Sequence, residues 1–223
     1  MGTLYLVRHG QASFGADDYD QLSPLGLQQS QQLGAYFASL GLSFHAVLTG
    51  TLRRHTQTLA GIAEGMVSPL PEALALPGLN EYDSHALIAT IHPHPLAKPD
   101  TPEVYKQHFR LLRDGLTQWM NGVVSPLGMP TYEVFRQGVA DALEHVRKQT
   151  QGDVLLVSSG GPIATAVGQL LGCTPETTIE LNLRIRNTAV TEFVVTPKRL
   201  LLQSFNGLPH LPLPARQALH SYA

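Results

Sequence analysis

The chain has 223 residues, which is near the upper end of one ordinary domain and enough to bury a substantial core without disulfides or metals. Its 15 basic and 17 acidic side chains leave a net charge of −2. Nucleic acid and anionic membranes favour a basic excess, so neither is expected as a partner. The single Cys173 allows no internal disulfide, and we find no targeting segment and no apolar stretch of the roughly 18 residues that a membrane helix needs. We expect a cytoplasmic protein, and its ten histidines need an explanation.

Strand and helix signals alternate along the chain. In order, they predict a strand at 3–7, a helix at 24–40 capped by Ser23 and ended by Gly41, a strand at 46–49, a helix at 52–64 closed by Gly65, a helix at 102–124, a strand at 154–158, a helix at 163–171, and strands at 188–195 and 199–205. Recurring strand-turn-helix units are typical of a parallel sheet with helices on both faces. The predicted fold is therefore α/β, a three-layer α/β/α sandwich with a mostly parallel sheet.

We expect one domain over residues 1–223, with two segments that lie outside the strand-helix pattern. Residues 83–130 are rich in proline and contain a helical stretch, which indicates an inserted lid or specificity segment after the Glu81 loop. Residues 207–223 have no strand pattern and are expected to form a C-terminal tail that packs on the surface.

An arginine and a histidine stand side by side where the first predicted strand ends. Open α/β sheets bind ligands at the carboxyl ends of their strands, and Arg8 and His9 occupy that position. Gly10 permits the backbone turn that would bring both side chains to one ligand. Arginine offers a rigid fork of donors for phosphate oxygens, and a neutral imidazole can attack phosphorus. The pair indicates phosphate chemistry, with a purely structural strand end as the alternative.

A second arginine strengthens the phosphate hypothesis. Arg54 lies in the first turn of the helix that follows the second strand, where free N–H groups and the helix dipole favour an anion. Two arginines at two strand ends can neutralise a phosphate dianion between them. Solvated surface arginines are the alternative explanation.

Several short motifs follow one another in a recognisable order. They are Arg8-His9-Gly10, the stretch 22–28 (LSPLGLQ), Leu52-Arg53-Arg54, Leu79-Asn80-Glu81, the stretch 157–161 (VSSGG) and the stretch 187–192 (NTAVTE). In these motifs and their order the chain resembles the histidine phosphatase superfamily, in its phosphoglycerate mutase-like branch. The resemblance spans most of the chain and leaves out only the middle insertion and the tail.

The resemblance implies a role for each matching residue. His9 matches the nucleophile that takes the phosphoryl group, and Arg8 and Arg54 match the arginines that clamp it. Glu81 matches the acid that protonates the leaving oxygen and then deprotonates water, which requires a carboxyl group that is neutral at the right moment. The family uses no metal and no organic cofactor, so electrostatic clamping is expected to stabilise the transferred group.

One position departs from the family pattern. The family reads Ser-His-Gly where this chain has Ser158-Ser159-Gly160, so the resemblance implies that Ser159 replaces a second pocket histidine. Ser159 still offers one neutral donor to phosphate, and Gly160 opens a helix toward the site. Losing a charged donor at a developing oxyanion typically costs about 10²–10³ in rate. The sequence therefore leaves open whether the activity is strong or weak.

Other histidines could substitute for the missing one. His85 lies four residues after Glu81 and is the better candidate, whereas His55 follows Arg54 at a helical position that is expected to turn it away from the pocket. His92 and His94 lack a nearby third ligand, so we predict no metal site.

The leading prediction is a metal-independent phosphoric monoester hydrolase that acts on a small phosphorylated substrate through a phosphohistidine at His9. The first alternative is a catalytically impaired phosphate-binding or regulatory protein on the same fold. Phosphoglycerate mutase-type transfer is less favoured, and so is a serine hydrolase, because only His210 and His220 follow Ser159 in the required order. The sequence names no substrate, and it fixes no oligomeric state, so a homodimer stays open.

Overall fold

The structure is a computed structural model, and it describes residues 2–13, 20–94, 96, 101–149, 151–211 and 219–222. Within these residues six strands form one sheet: β1 (Gly2–Arg8), β2 (Ala46–Thr49), β3 (Ala73–Ala75), β4 (Val154–Ser158), β5 (Val190–Val195) and β6 (Leu200–Gly207). The helices are α1 (Pro24–Ser39), α2 (Arg53–Met66), α3 (Ser84–Ile91), α4 (Pro102–Met120), α5 (Tyr132–Gln149), α6 (Gly160–Leu171) and α7 (Pro175–Asn182), with one 3-10 turn at Pro77–Leu79.

The strand order of the sheet is β3-β2-β4-β1-β5-β6. Strands β3, β2, β4 and β1 are parallel to one another, and β5 is antiparallel to both of its neighbours, β1 and β6, so the sheet is mixed. The predicted α/β fold with a mostly parallel sheet is confirmed. Because β2, β4 and β1 are adjacent and parallel, their carboxyl ends meet at one edge of the sheet.

Both faces of the sheet are buried. Alternate residues of a strand point to opposite faces, and along β1 the side chains of Leu4 and Leu6 join one hydrophobic cluster while Val7 joins another. The first cluster includes Trp119 and Ile163, from α4 and α6. The sheet is thus the middle layer of three, as the sequence predicts.

Helices α1 and α2 pack closely against each other. Ser23 caps α1 by accepting a hydrogen bond from the amide of Gly26 at 3.1 Å, as predicted. The prediction that Gly65 closes the second helix is wrong, because α2 continues to Met66. Gly65 serves helix packing instead, since a Cβ there would lie 2.0 Å from the carbonyl oxygen of Gln31 in α1.

The two segments outside the strand-helix pattern contribute to the core. In the insertion, Leu87 of α3 and Leu116 of α4 are buried in the same cluster as Ile163. In the tail, Leu211 and Leu219 are buried in that cluster, so these residues pack into the core rather than on the surface. Among the described helices, none combines the length and the apolar character that crossing a membrane requires.

Candidate active site

Four segments bring polar side chains to the carboxyl edge of the sheet. His9 follows β1, Arg54 and His55 lie in the first turn of α2, Glu81 follows the 3-10 turn, and Ser159 joins β4 to α6. Backbone hydrogen bonds hold these strand ends together, including one from the amide of His9 to the carbonyl of Ser158 at 2.9 Å. The structure therefore assembles at one place the residues that the sequence scatters over 150 positions.

The ring of His9 is fixed in one orientation and one tautomer. Nδ1 lies 2.7 Å from the carbonyl oxygen of Gly10, which can only accept, so Nδ1 carries the proton. Nε2 therefore presents its lone pair, and it accepts a hydrogen bond from Nε of Arg54 at 3.2 Å. Burial, together with the charges of Arg8 and Arg54, holds the pKa of His9 well below its usual value. The imidazole is neutral and nucleophilic at Nε2.

The backbone on either side of His9 is also held in place. The amide of Gly10 donates to Oγ1 of Thr58 at 3.0 Å, which ties the end of β1 to α2. A Cβ on Gly10 would lie 2.4 Å from the carbonyl oxygen of Gly26, so glycine is needed there for a close approach to α1. Glycine is thus required at position 10 for packing, and its backbone is not left-handed.

Residues near the C-terminal end of the chain reach the backbone of His9. Nδ2 of Asn187 donates to the carbonyl oxygen of His9 at 3.2 Å. The Oδ1 of the same Asn187 accepts from the hydroxyl of Ser221 at 2.9 Å, and Nε2 of Gln29 donates to that hydroxyl oxygen at 2.9 Å. A chain of three side chains thus connects α1 and the tail to the backbone of His9.

Arg54 is held by the carboxylate of Asp20, which none of the sequence motifs indicates. Nη1 of Arg54 lies 2.6 Å from Oδ1 of Asp20, and Arg54 itself is buried. The other carboxylate oxygen of Asp20 accepts from the amide of Arg53 at 2.8 Å, so Asp20 also satisfies the N-terminus of α2. A cap supplied from a distant loop has no local sequence signal. The hydrogen bond to Asp20 orients the guanidinium of Arg54, whose Nε donates to Nε2 of His9.

Arg8 lies within electrostatic reach of the same groups. Its Nη1 donates to the carbonyl of Ile185, and its backbone amide donates to the carbonyl of Ala189 at 3.1 Å. The positive charge of Arg8 contributes to lowering the pKa of His9 and opposes the rise in the pKa of Glu81. The structure therefore gathers Arg8, Arg54, His9 and Glu81 around one location.

The carboxyl group of Glu81 lies at the N-terminus of α6. Both of its oxygens accept from the amide of Gly161, at 3.1 and 3.2 Å. Burial raises the pKa of Glu81, while the bond from Gly161 and the charges of the two arginines act in the opposite direction. Gly160 lies close by, since a Cβ on it would be 3.8 Å from Oε2 of Glu81. The carboxyl group thus has the raised pKa that suits a general acid.

The position of His55 differs from the sequence-based expectation. His55 is fully buried, its Nε2 lies 2.7 Å from Oγ of Ser159, and its ring centroid is 5.6 Å from that of His9. The expectation that His55 turns away from the pocket is therefore wrong. The start of α2 directs two successive side chains, Arg54 and His55, into the site.

The structure does not bring His85 to the site. Its side chain is 97% exposed in α3, and its Nδ1 lies 3.9 Å from Oδ1 of Asp83. The prediction of His85 as a substitute histidine is wrong, because α3 presents this side chain to solvent. His92 and His94 contact each other, with ring centroids 5.8 Å apart. In the described part of the chain, no three His, Cys, Asp or Glu residues are grouped as metal ligands would be.

Part of the chain is similar in sequence to phosphoglycerate mutases. It is 36% identical over 89 residues to a 2,3-bisphosphoglycerate-dependent phosphoglycerate mutase of Rhizobium etli (strain CIAT 652). The match covers 37% of this chain and 42% of the mutase, so it spans less than half of that relative.

The fold is shared with solved structures over nearly the whole chain. The phosphoserine phosphatase of Entamoeba histolytica in complex with 3-phosphoglyceric acid has a TM-score of 0.67 at 21% identity, covering 95% of this chain and 100% of that one. YhfR of Bacillus stearothermophilus has a TM-score of 0.68 at 18% identity, covering 94% and 99%. The family model of the histidine phosphatase superfamily (branch 1) matches residues 4–207, which include all six strands except the first two residues of β1, and the chain belongs to that superfamily.

Proposed function

We propose that the protein is a phosphoric monoester hydrolase that acts on a small phosphorylated substrate through a phosphohistidine at His9, without a metal or an organic cofactor. The observation that carries the proposal is the lone pair of His9 Nε2, which faces Nε of Arg54 at 3.2 Å. A phosphoryl group bound by that guanidinium would lie next to the nucleophilic nitrogen. The carboxyl group of Glu81, whose pKa burial raises, supplies the proton that the reaction needs.

In the first step, Nε of Arg54 exchanges its hydrogen bond to Nε2 of His9 for one to a phosphoryl oxygen, and the freed lone pair of Nε2 attacks phosphorus. The N–P bond forms as the bond from phosphorus to the ester oxygen breaks, and the electron pair of that bond goes to the leaving oxygen. The neutral carboxyl group of Glu81 gives its proton to this oxygen, so the substrate leaves as an alcohol. Arg8 and Arg54 stabilise the charge on the phosphoryl oxygens. The products are the free alcohol, phosphohistidine and the carboxylate of Glu81.

In the second step, water attacks the phosphohistidine. The carboxylate of Glu81 takes a proton from the water as the new O–P bond forms. The N–P bond breaks, its electron pair returns to Nε2 of His9, and inorganic phosphate leaves. Glu81 is again protonated and His9 again neutral, so the site is ready for a second turnover.

The mutase relative favours a second candidate, which is transfer of the phosphoryl group to another phosphorylated acid. A mutase would benefit from extra basic side chains over the site to bind a second acidic group. In the described part of the insertion, Arg113 is engaged in an ion pair with Glu180 of α7. Lys106 and Arg110 of the same segment are exposed, so we keep transfer as the second candidate and hydrolysis as the first.

The direct test is hydrolysis of p-nitrophenyl phosphate by the wild type and by His9→Ala, with and without EDTA. We expect turnover by the wild type in both conditions and none by His9→Ala. His85→Ala is the matched control, because it removes an exposed histidine, and it should behave as the wild type does. Equal and negligible turnover by the wild type and His9→Ala would refute the proposal. If the wild type isomerises 3-phosphoglycerate faster than it hydrolyses it, the mutase is favoured.

A further inference from the structure

A buried hydrogen bond joins His55, in the first turn of α2, to Ser159, the residue before α6. Nε2 of His55 lies 2.7 Å from Oγ of Ser159, and both residues are fully buried. The ring of His55 is also a neighbour of the ring of His9, with a distance of 5.6 Å between their centroids. The mechanism proposed above uses neither side chain, although both lie beside its nucleophile.

The surroundings of His55 indicate which atom of the pair donates. Among the described residues, Nδ1 of His55 has no hydrogen-bond partner. A buried N–H without an acceptor is rarer in proteins than a buried acceptor without a donor, so the ring proton belongs on Nε2. Burial and the charge of Arg54 lower the pKa of His55 to about 3, so the ring is neutral at pH 7. Nε2–H then donates to Oγ of Ser159, and the hydroxyl hydrogen of Ser159 is left for another acceptor.

The end of β2 is shaped to admit this ring. A Cβ on Gly50 would lie 2.3 Å from Nδ1 of His55 and 2.8 Å from its Cε1. Real Cβ atoms essentially never approach other atoms so closely, so a larger residue at position 50 would displace the imidazole. Gly50 and Ser159 therefore enclose the ring from two sides.

We propose that His55 is a positioning residue for phosphoryl transfer, holding Oγ of Ser159 as an acceptor so that the Ser159 hydroxyl donates to an oxygen of the phosphoryl group. This inference rests on the function proposed above. In the family pattern one histidine at position 159 supplies the donor to phosphate. Here the side chains of His55 and Ser159 would supply it together. The donor is neutral, so it adds no positive charge to the two arginines.

The opposite direction of the same bond would make Ser159 a nucleophile activated by His55. A histidine in that role is normally oriented by a hydrogen bond at its other nitrogen. Within the described chain Nδ1 of His55 faces Gly50 and has no such partner. The geometry therefore favours Ser159 as a donor to phosphate.

The test is a double-mutant cycle with Ser159→Ala, His55→Phe and the two combined, assayed for kcat and KM on p-nitrophenyl phosphate and for orthovanadate affinity. Phenylalanine keeps the ring and removes both nitrogens. Losing a charged donor typically costs about 10²–10³ in rate, and a neutral hydrogen bond has about half the strength of a charge-assisted one. Each single variant should therefore lower kcat by about 10- to 30-fold, with a smaller change in KM. The double variant should be no slower than Ser159→Ala alone. His55→Gln, whose amide nitrogen can take the place of Nε2, should recover most of the rate.

Several outcomes would overturn the inference. If the losses in kcat add up in the double variant, the two residues act separately. If His55→Gln is as slow as His55→Phe, the Nε2 donor of His55 does not contribute to the rate. Labelling of Ser159 by a fluorophosphonate probe would show that its hydroxyl is a nucleophile. Thermal unfolding of each variant separates a loss of fold from a loss of function.

The cycle also separates this inference from the function on which it rests. If His9→Ala hydrolyses p-nitrophenyl phosphate as fast as the wild type, the proposed function fails. The orthovanadate affinities still test the pair in that case, since loss of the donor to the vanadate oxygens should weaken binding non-additively in the same variants. Additive changes in vanadate affinity would refute the pair whatever the activity.

Discussion

Gly161 allows the proposed general acid to lie directly on the N-terminus of α6. A Cβ at this position would be 2.2 Å from Oε1 of Glu81 and 2.7 Å from the ring of Tyr82. Ordinary van der Waals contact begins at 3.4 Å, so in Gly161→Ala the carboxyl group has to retreat by about 1.2 Å. The hydrogen bond from the Gly161 amide, at 3.1 Å, would be lost or lengthened with it.

The size of the effect follows from this displacement. A misplacement of about 1 Å in a reacting group can cost about 10²-fold in rate. The loss should depend on the leaving group, because glycerol 3-phosphate needs a proton on the departing oxygen and p-nitrophenyl phosphate needs it much less. We expect kcat/KM of Gly161→Ala to fall about 100-fold on glycerol 3-phosphate and clearly less on p-nitrophenyl phosphate.

Gly168→Ala is the matched control for this experiment. It makes the same substitution in the same helix, where a Cβ would lie 2.6 Å from Oγ1 of Thr178. It should lower the thermal midpoint without changing the ratio of kcat/KM between the two substrates. Equal losses on both substrates in Gly161→Ala, or no loss on either, would refute the assignment of Glu81 as the general acid.

Three other changes test separate parts of the structure. Glu81→Gln should lower kcat/KM for glycerol 3-phosphate by about 10²–10⁴-fold. Because the acid form is required, wild-type kcat/KM should decline as the pH rises through the raised pKa of Glu81. The same decline in Glu81→Gln would contradict the reasoning. Asp20→Ala removes the carboxylate that accepts from the Arg53 amide and should lower the free energy of unfolding by about 1 kcal/mol in urea titrations, whereas Asp20→Asn, which still caps the helix, should lose less. Gly65→Ala forces α2 away from α1 and should cost about 1–3 kcal/mol in the same titration, and an unchanged midpoint would count against the close packing.

The elements that the sequence predicts well are those with strong local signals. The strand at β2 is predicted to the residue, and α1 begins at the proline that follows Ser23, because a cap and a buried apolar run need no information from the rest of the chain. Strand β3 is absent from the prediction, because its three residues are too few to give a periodic signal. Helix α5 is absent from the prediction, although its buried residues do recur at helical spacing, at 135, 139, 142, 143 and 146.

The candidate site is predictable as a set of residues but not as a geometry. The family resemblance identifies His9, Arg54 and Glu81, which the structure brings together. Spacing along the chain, however, does not show where a side chain points: His85 is near Glu81 in sequence and exposed, whereas His55 is buried beside Ser159 from 104 residues away. The signal for His55 lies in two distant positions taken together, a histidine in the first turn of α2 and a glycine that makes room for it at the end of β2.

The hydrogen bonds that run from Ser221 through Asn187 to the carbonyl of His9 connect residues that are far apart in the sequence. The support for the backbone of His9 therefore depends on contacts between residues that lie 178 and 34 positions apart in the chain. A contact of such long sequence separation also forms late in refolding, because the intervening chain has to be ordered first. Recovery of phosphatase activity should therefore lag behind recovery of helical structure.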